Sequence, residues 1–196
     1  MISDIYNEMK ENSEKIFSGR KIIFGDGIMN ADILLVGEAP GGEEEKLGKP
    51  FVGSAGKNLD KFLEIIQLER DKIYITNVVK IRPFKLSLKT NKPVNRPPNK
   101  EEIHFFKEYL YREIEEINPK IIVTLGNTAL RAVFRDNNIV IGDYHGKLCE
   151  DIFGFKIFPL YHPASVIYNR ELEKVYLDDL HKLKGILDCS RYSKTL

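Results

Sequence analysis

Four polar or glycine-rich places in this chain each lie at or near the end of a short apolar run that reads as a β-strand. Gly37-Glu38-Ala39-Pro40-Gly41-Gly42 follows Asp32–Val36, and Asn77 falls near the end of Ile73–Val79. Gly126-Asn127 follows Ile121–Leu125, and His162-Pro163 follows Phe155–Leu160. A carboxylate, an amide and an imidazole are groups that hold and polarise a polar substrate. Asn77 shares a strand face with Ile73 and Ile75, where an unpaired amide is costly. Pro163 biases the backbone of His162 towards extended geometry, which helps aim the ring. Residue type alone decides nothing, since His104, His145 and His181 are also present.

Other chemistries fit less well. Gly53-Ser54-Ala55-Gly56-Lys57 looks like a phosphate-binding loop, but Phe51 stands at the first glycine position and Asn58 replaces the magnesium-binding Ser or Thr. Gly25-Asp26-Gly27 reads as a turn. Two cysteines, Cys149 and Cys189, cannot make a metal site alone. From Lys80 to Lys100 there are seven basic residues (Lys80, Arg82, Lys85, Lys89, Lys92, Arg96, Lys100) and no acidic one. This stripe either meets phosphates or is a solvated loop.

Alternating strands and helices must position these groups. Leu59, Phe62, Leu63 and Ile66 have helical spacing. So do Ile103, Phe106, Leu110, Ile114 and Ile117, behind an Asn99/Glu102 capping box. Leu172, Tyr176, Leu180, Leu183 and Leu187 form a third amphipathic pattern. The expectation is one three-layer α/β/α domain over residues 1–196, with a central four-stranded parallel sheet. Sites in such sheets lie where the strands end, so the four breaks converge on one edge. Pro83–Pro98 reads as a linker-like stretch.

At 196 residues the chain can bury a sizeable core. A formal net charge of +1 argues against coating nucleic acid by bulk charge. No apolar run approaches the roughly 20 residues of a membrane helix, and Met1-Ile2-Ser3-Asp4-Ile5-Tyr6 lacks a signal-peptide layout. A cytoplasmic protein with reduced thiols is the default expectation.

The segments Gly37-Glu38-Ala39-Pro40-Gly41 and Gly48-Lys49-Pro50-Phe51-Val52-Gly53-Ser54-Ala55-Gly56 resemble the first motif of family-4 uracil-DNA glycosylases. Thr76-Asn77-Val78-Val79-Lys80, Asn95-Arg96-Pro97-Pro98, Thr124-Leu125-Gly126 and Tyr161-His162-Pro163-Ala164 continue the resemblance in order, from about Glu11 to Asp188. It implies a hydrolase that extrudes uracil from DNA, cuts its N-glycosidic bond and leaves an abasic site. Glu38 would offset positive charge at the anomeric carbon and hold the attacking water. His162 would donate to a uracil carbonyl as negative charge builds there. Phe51 would stack on the base, and Asn77 would accept from N3–H and donate to O4, a pattern cytosine reverses. Ala39 and Pro40 would wall the base. Glu44 would stand near the ring carbon that bears the methyl in thymine, unless it is a solvated member of Glu43-Glu44-Glu45. Lys80, Arg82, Lys85, Lys89, Lys92 and Arg96 would meet DNA. The partner is uracil-containing DNA and the expected state a monomer. The alternatives are a glycosylase for another deaminated base, such as hypoxanthine, and a non-catalytic DNA-binding relative.

Three departures stand out. The family usually holds a four-iron cluster on four cysteines, and here those positions are Glu11, Glu14, Ile81 and Phe106, so no cofactor and no metal are expected. Phe84–Val94 is longer than the usual link. A related branch carries there a histidine that bonds covalently to DNA, and here no histidine lies between Lys80 and Pro98, with Asn95 near that place. Tyr168 and Arg170 flank Asn169 where the family has Arg and Pro.

Overall fold

The computed structural model describes residues 1–167 and 170–192. Of the last departure named above, Tyr168 and Asn169 lie outside the described residues. In chain order the helices are α1 (Ile2–Ile16), α2 (Gly42–Leu47), α3 (Ser54–Ile65), α4 (Lys100–Ile117), α5 (Gly126–Phe134), α6 (Ile141–Tyr144), α7 (Pro163–Ile167) and α8 (Arg170–Tyr192). The strands are β1 (Asp26–Gly27), β2 (Ile33–Gly37), β3 (Tyr74–Asn77), β4 (Phe84–Leu86), β5 (Pro93–Asn95), β6 (Ile121–Leu125), β7 (Cys149–Glu150) and β8 (Lys156–Leu160).

The main sheet has six strands in the order β1-β3-β2-β6-β8-β7, not four. The four apolar runs are its parallel centre, and β1 and β7 add short antiparallel edges. These edges have two residues each, too few to show a period of two. Both faces of the centre are covered, which is why the central strands read as continuous apolar runs. Leu34, Val36, Tyr74, Ile122 and Ile157 pack with Met9 of α1 and with Phe106, Leu110 and Ile114 of α4. Ile33, Leu35, Ile73, Ile75, Val123 and Phe158 pack on the opposite face with Leu59, Phe62 and Leu63 of α3 and with Leu180 and Leu183 of α8. The capping box of α4 forms as expected, with Glu102 N–H donating to Asn99 Oδ1 and Asn99 N–H to Glu102 Oε2, both at 2.8 Å.

Pro83–Pro98 is not a linker. β4 and β5 form a separate antiparallel hairpin, with Phe84 opposite Asn95 and Leu86 opposite Pro93. Lys80 is likewise not a surface cation. Its side chain is fully buried, and Nζ donates at 2.5 Å both to Glu113 Oε2 and to Thr76 Oγ1. Tyr6 Oη joins the same carboxylate at Oε1. Desolvation lowers the Lys80 pKa and the Glu113 charge opposes that shift. This pair ties the end of β3 to α4, out of reach of any phosphate. Removing one partner would strand a buried charge, at a cost of about 3–5 kcal/mol.

Candidate active site

Strand register brings the distant polar residues together. Gly37 is the pairing partner of Asn77, and Leu125 that of Leu160. Glu38, Gly126 and His162 therefore leave the sheet at one edge. They open onto a cavity of about 250 Å³ lined by Glu38, Ala39, Pro40, Glu44, Phe51 and Asn77, with Asn95, Arg96 and His162 at its rim and wall. That is below the roughly 300–1,000 Å³ of drug-sized pockets, a size suited to a single base. A larger cleft of about 770 Å³ lies between α4 and α5, lined by Lys100, His104, Lys107, Arg131 and Thr128. Its Glu101 and Tyr111 stand on α4 and its Asn137 in the loop after α5, none at the carboxyl ends of the parallel strands where such sheets place their sites, so the smaller cavity is the better site.

Glu38 Oε2 accepts a 2.5 Å hydrogen bond from Thr128 Oγ1, near the start of α5. This leaves Oε1 for another donor. His162 Nδ1 accepts from the Ala164 backbone N–H at 3.2 Å, which assigns the ring proton to Nε2. Burial lowers the His162 pKa, and the negative charge of Glu38 partly restores it. The ring is thus a neutral donor at pH 7.

Phe51 and Asn77 are buried against Gly37. A Cβ on Gly37 would lie 2.4 Å from Asn77 Oδ1 and 2.5 Å from Phe51 Cζ, so only glycine lets both stand there. Phe51 has φ +52°, a left-handed conformation costing about 1–2 kcal/mol for a residue with a Cβ. Arg70 holds it, donating from Nη2 to the carbonyls of Pro50 and Phe51 at 2.9 and 3.0 Å. Gly56 allows the close approach from the other side, since a Cβ there would lie 2.0 Å from the Phe51 oxygen.

Glu44 is buried, not solvated like its neighbours in the acidic run. It accepts from the backbone N–H groups of Gly41, Val52 and Gly53 at 3.0, 3.1 and 2.8 Å. The last two belong to the N-terminus of α3, where a phosphate-binding loop would hold its phosphate. Here the chain's own carboxylate fills that place, which agrees with rejecting the loop as a nucleotide site.

The remaining basic residues divide into two groups. Arg82 pairs with Glu45 at 3.0 Å and donates to Asn95 Oδ1 at 2.8 Å. Arg96 makes a two-pronged contact with Glu102 at 2.8 and 2.7 Å and lines the pocket. Both also bond hairpin carbonyls, so they brace the rim. Lys85, Lys89 and Lys92 are exposed on the hairpin. Thr128 and Arg70 escaped sequence reasoning. A hydroxyl just after the Gly126-Asn127 break was the available signal for Thr128. For Arg70 there was none.

The residues at the family's cluster positions do not fit an iron–sulfur group. Glu11 and Glu14 are exposed carboxylates, and Ile81 and Phe106 are fully buried apolar side chains. Fe–S clusters need thiolates. Phe17, Phe105 and Phe106 instead pack as an aromatic group, with centroids 4.8–5.7 Å apart. Among the described residues no group of three or more His, Cys, Asp or Glu is placed to hold a metal ion. No helix among them is long and apolar enough to cross a membrane.

Residues 24–183 match the model of the uracil DNA glycosylase superfamily. A type-4 uracil-DNA glycosylase of Saccharolobus solfataricus is 42% identical over 181 residues, covering 88% of this chain and 80% of the relative. That of Sulfurisphaera tokodaii is 43% identical over 171 residues, covering 83% and 73%. That of Thermotoga maritima is 38% identical over 168 residues, covering 85% and 83%. On this family match and these identities, the chain belongs to the uracil DNA glycosylase superfamily, alongside its type-4 members.

Proposed function

We propose that this protein is a uracil-DNA glycosylase that hydrolyses the N-glycosidic bond of uracil in DNA, using one domain, as a monomer and without a cofactor. The observation that carries the reading is the convergence, on one base-sized cavity, of the Thr128-bound Glu38 and the neutral, Nε2-protonated His162.

The extruded base lies on the Phe51 ring. The Asn77 amide accepts from uracil N3–H and donates to O4, and cytosine presents the wrong atom at both places. As the glycosidic bond breaks, its electron pair goes to the base and the sugar becomes cationic. His162 Nε2–H donates to the uracil O2, where that negative charge collects. The Glu38 carboxylate offsets the sugar charge, and Oε1 accepts from the water that attacks the anomeric carbon. The water's oxygen bonds to that carbon and its proton passes by way of Glu38 to solvent. Thr128 keeps the carboxylate turned towards the reacting carbon through a short, charge-assisted bond.

Every group in this scheme comes from one chain, so no second copy is needed. The packing of Ile81 and Phe106 in one apolar cluster supports folding without an iron–sulfur group, and a DNA substrate of the kind its type-4 relatives are named for supports a cytoplasmic place of work. The test is incubation of the purified protein with DNA carrying one uracil or one hypoxanthine, followed by alkaline cleavage of abasic sites. Strand breaks at uracil, slowed on the order of a hundredfold by His162→Ala, are expected. Cleavage at hypoxanthine alone would favour the other lesion, and binding without cleavage a non-catalytic relative. Stoichiometric iron in the same preparation would refute the cofactor-free reading.

A further inference from the structure

His145 does not line the base pocket, yet its ring is tightly held. Its Nδ1 lies 2.6 Å from Asp179 Oδ2. An ionised carboxylate can only accept, so Nδ1 carries the proton. Asp179 is 1% exposed, in a stretch of α8 whose Tyr176, Leu180 and Leu183 join the core under the sheet. A carboxylate in that company is costly unless its oxygens are bonded. Lys182 Nζ reaches the other oxygen at 2.8 Å, from a side chain that is itself half-exposed. Gly146 leaves room for the carboxylate, since a Cβ there would stand 1.9 Å from Asp179 Oδ1.

What this pair fixes is the segment of residues 141–146, which comprises α6 and the turn after it. The segment touches both stretches of chain that meet at His162. At its start, the Ile141 N–H donates to Asn127 Oδ1 at 2.8 Å. Asn127 follows Gly126, where a Cβ would lie 3.2 Å from His162 Cβ. At its end, the Gly146 N–H donates to the Pro159 carbonyl of β8 at 2.9 Å. Beside it the His145 ring packs on that of Tyr161, with centroids 4.8 Å apart. Tyr161 leaves β8 immediately before His162. The His145 N–H on the Ile141 carbonyl, at 2.9 Å, closes the turn between the two ends.

We propose that His145, anchored by Asp179, is a positioning residue for His162: it holds Tyr161 and the chain leaving β8 so that the His162 Nε2–H is aimed into the base pocket. This rests on the uracil-excision reading of that pocket. The His162 ring accepts from the Ala164 N–H at 3.2 Å, at the long end of the range for such bonds. A long bond from a residue two places on leaves much of the ring's aim to its own backbone. Groups that act on a reacting atom have to be held within about 0.5 Å by the residues behind them. The Asp179–His145 pair supplies that support from the side of β8, and the Asn127 contact supplies it from the side of α5.

The test compares the parent with His145→Ala, Asp179→Ala, Asp179→Asn and Lys182→Ala in single-turnover excision at saturating enzyme. Uracil-DNA affinity and the imidazole nitrogen NMR signals of His162 in the free protein are measured beside it. His145→Ala should slow excision by about tenfold, less than the loss expected of His162→Ala, with DNA affinity within about twofold of the parent. Asp179→Ala should match it. Asp179→Asn still accepts from His145 Nδ1 and should recover most of the loss. Lys182→Ala leaves the His145 bond in place and should cut at the parent rate. The His162 signals should shift in both alanine variants at 145 and 179, and stay in place in Lys182→Ala. Parental rates in those two variants, or slowed rates with unshifted His162 signals, would overturn the positioning role, because a tie that only stabilises α8 leaves the His162 ring undisturbed in the folded molecule. Shifted His162 signals in variants of a parent that releases no uracil would keep the role and refute the uracil reading.

Discussion

Gly37→Ala perturbs the pocket by a single methyl group and leaves the backbone alone. Gly37 lies in β2, pairs with Asn77, and accepts from the Val78 N–H at 2.9 Å. Its φ is not in the left-handed region, so alanine adopts the same conformation without strain. The new Cβ would stand 2.4 Å from Asn77 Oδ1 and 2.5 Å from Phe51 Cζ, where ordinary contact begins near 3.4 Å. Each side chain must retreat by about 1 Å, and both are packed in the core, Asn77 at 3% and Phe51 at 5% exposure. A 1 Å misplacement of a positioning group costs on the order of a hundredfold in rate. Overpacking costs about 1–3 kcal/mol, and the better strand propensity of alanine returns about 0.5–1 kcal/mol. The fold therefore survives with a melting temperature lower by a few degrees. The assay is single-turnover release of uracil at saturating enzyme, beside a thermal melt and a DNA-binding titration. The expected result is a rate down by about a hundredfold with DNA affinity near that of the parent. A Gly37→Ala protein that cuts within threefold of the parent would refute the idea that Asn77 and Phe51 read the base from these positions.

Thr128→Val removes the donor to Glu38 Oε2 with little change in shape, and should slow excision by roughly ten- to a hundredfold with DNA affinity kept; parental kinetics would remove Thr128 from the mechanism. In an NMR titration His162 should protonate below the ordinary 6.5, and Glu38→Gln should lower the midpoint further, because the Glu38 charge raises it. A midpoint above 6.5 would refute the buried neutral ring. With the folded pKa below the unfolded one, this group's contribution to stability is complete above pH 6.5 and is lost as the pH falls through the lowered value. Changing Lys85, Lys89 and Lys92 together to Ala should lower the salt slope of DNA binding by about 0.7–0.9 units per lost phosphate contact, equally for uracil-containing and normal DNA. An unchanged slope would make the hairpin lysines mere solvated charges.

Much of this protein is local in its sequence. Runs such as Ile33–Val36 and Ile121–Val123 are apolar at every position because both faces of a central parallel strand are covered, so they announce strands without reference to the rest of the chain. The spacing of Phe106, Leu110, Ile114 and Ile117 and the Asn99/Glu102 cap are equally local, as is the placing of Glu38, Asn77 and His162 at strand ends. Tertiary structure alone decided the features that depend on a distant partner. Lys80 belongs by sequence to a basic stripe, yet Glu113, 33 positions later, draws it into the core. Glu44 is one of three adjacent glutamates until the α3 N-terminus folds back onto it. In the hairpin Phe84, Leu86 and Leu88 alternate with Lys85, Ser87 and Lys89, yet Leu86 and Leu88 stay exposed, so the alternation reports no buried face there, and arginines at 20, 82 and 96 brace it from outside its own span. A period in the sequence reports which face of an element is buried. Which two elements meet, and which charge finds which partner, is settled only when the sheet closes and strand register aligns residues far apart in the chain.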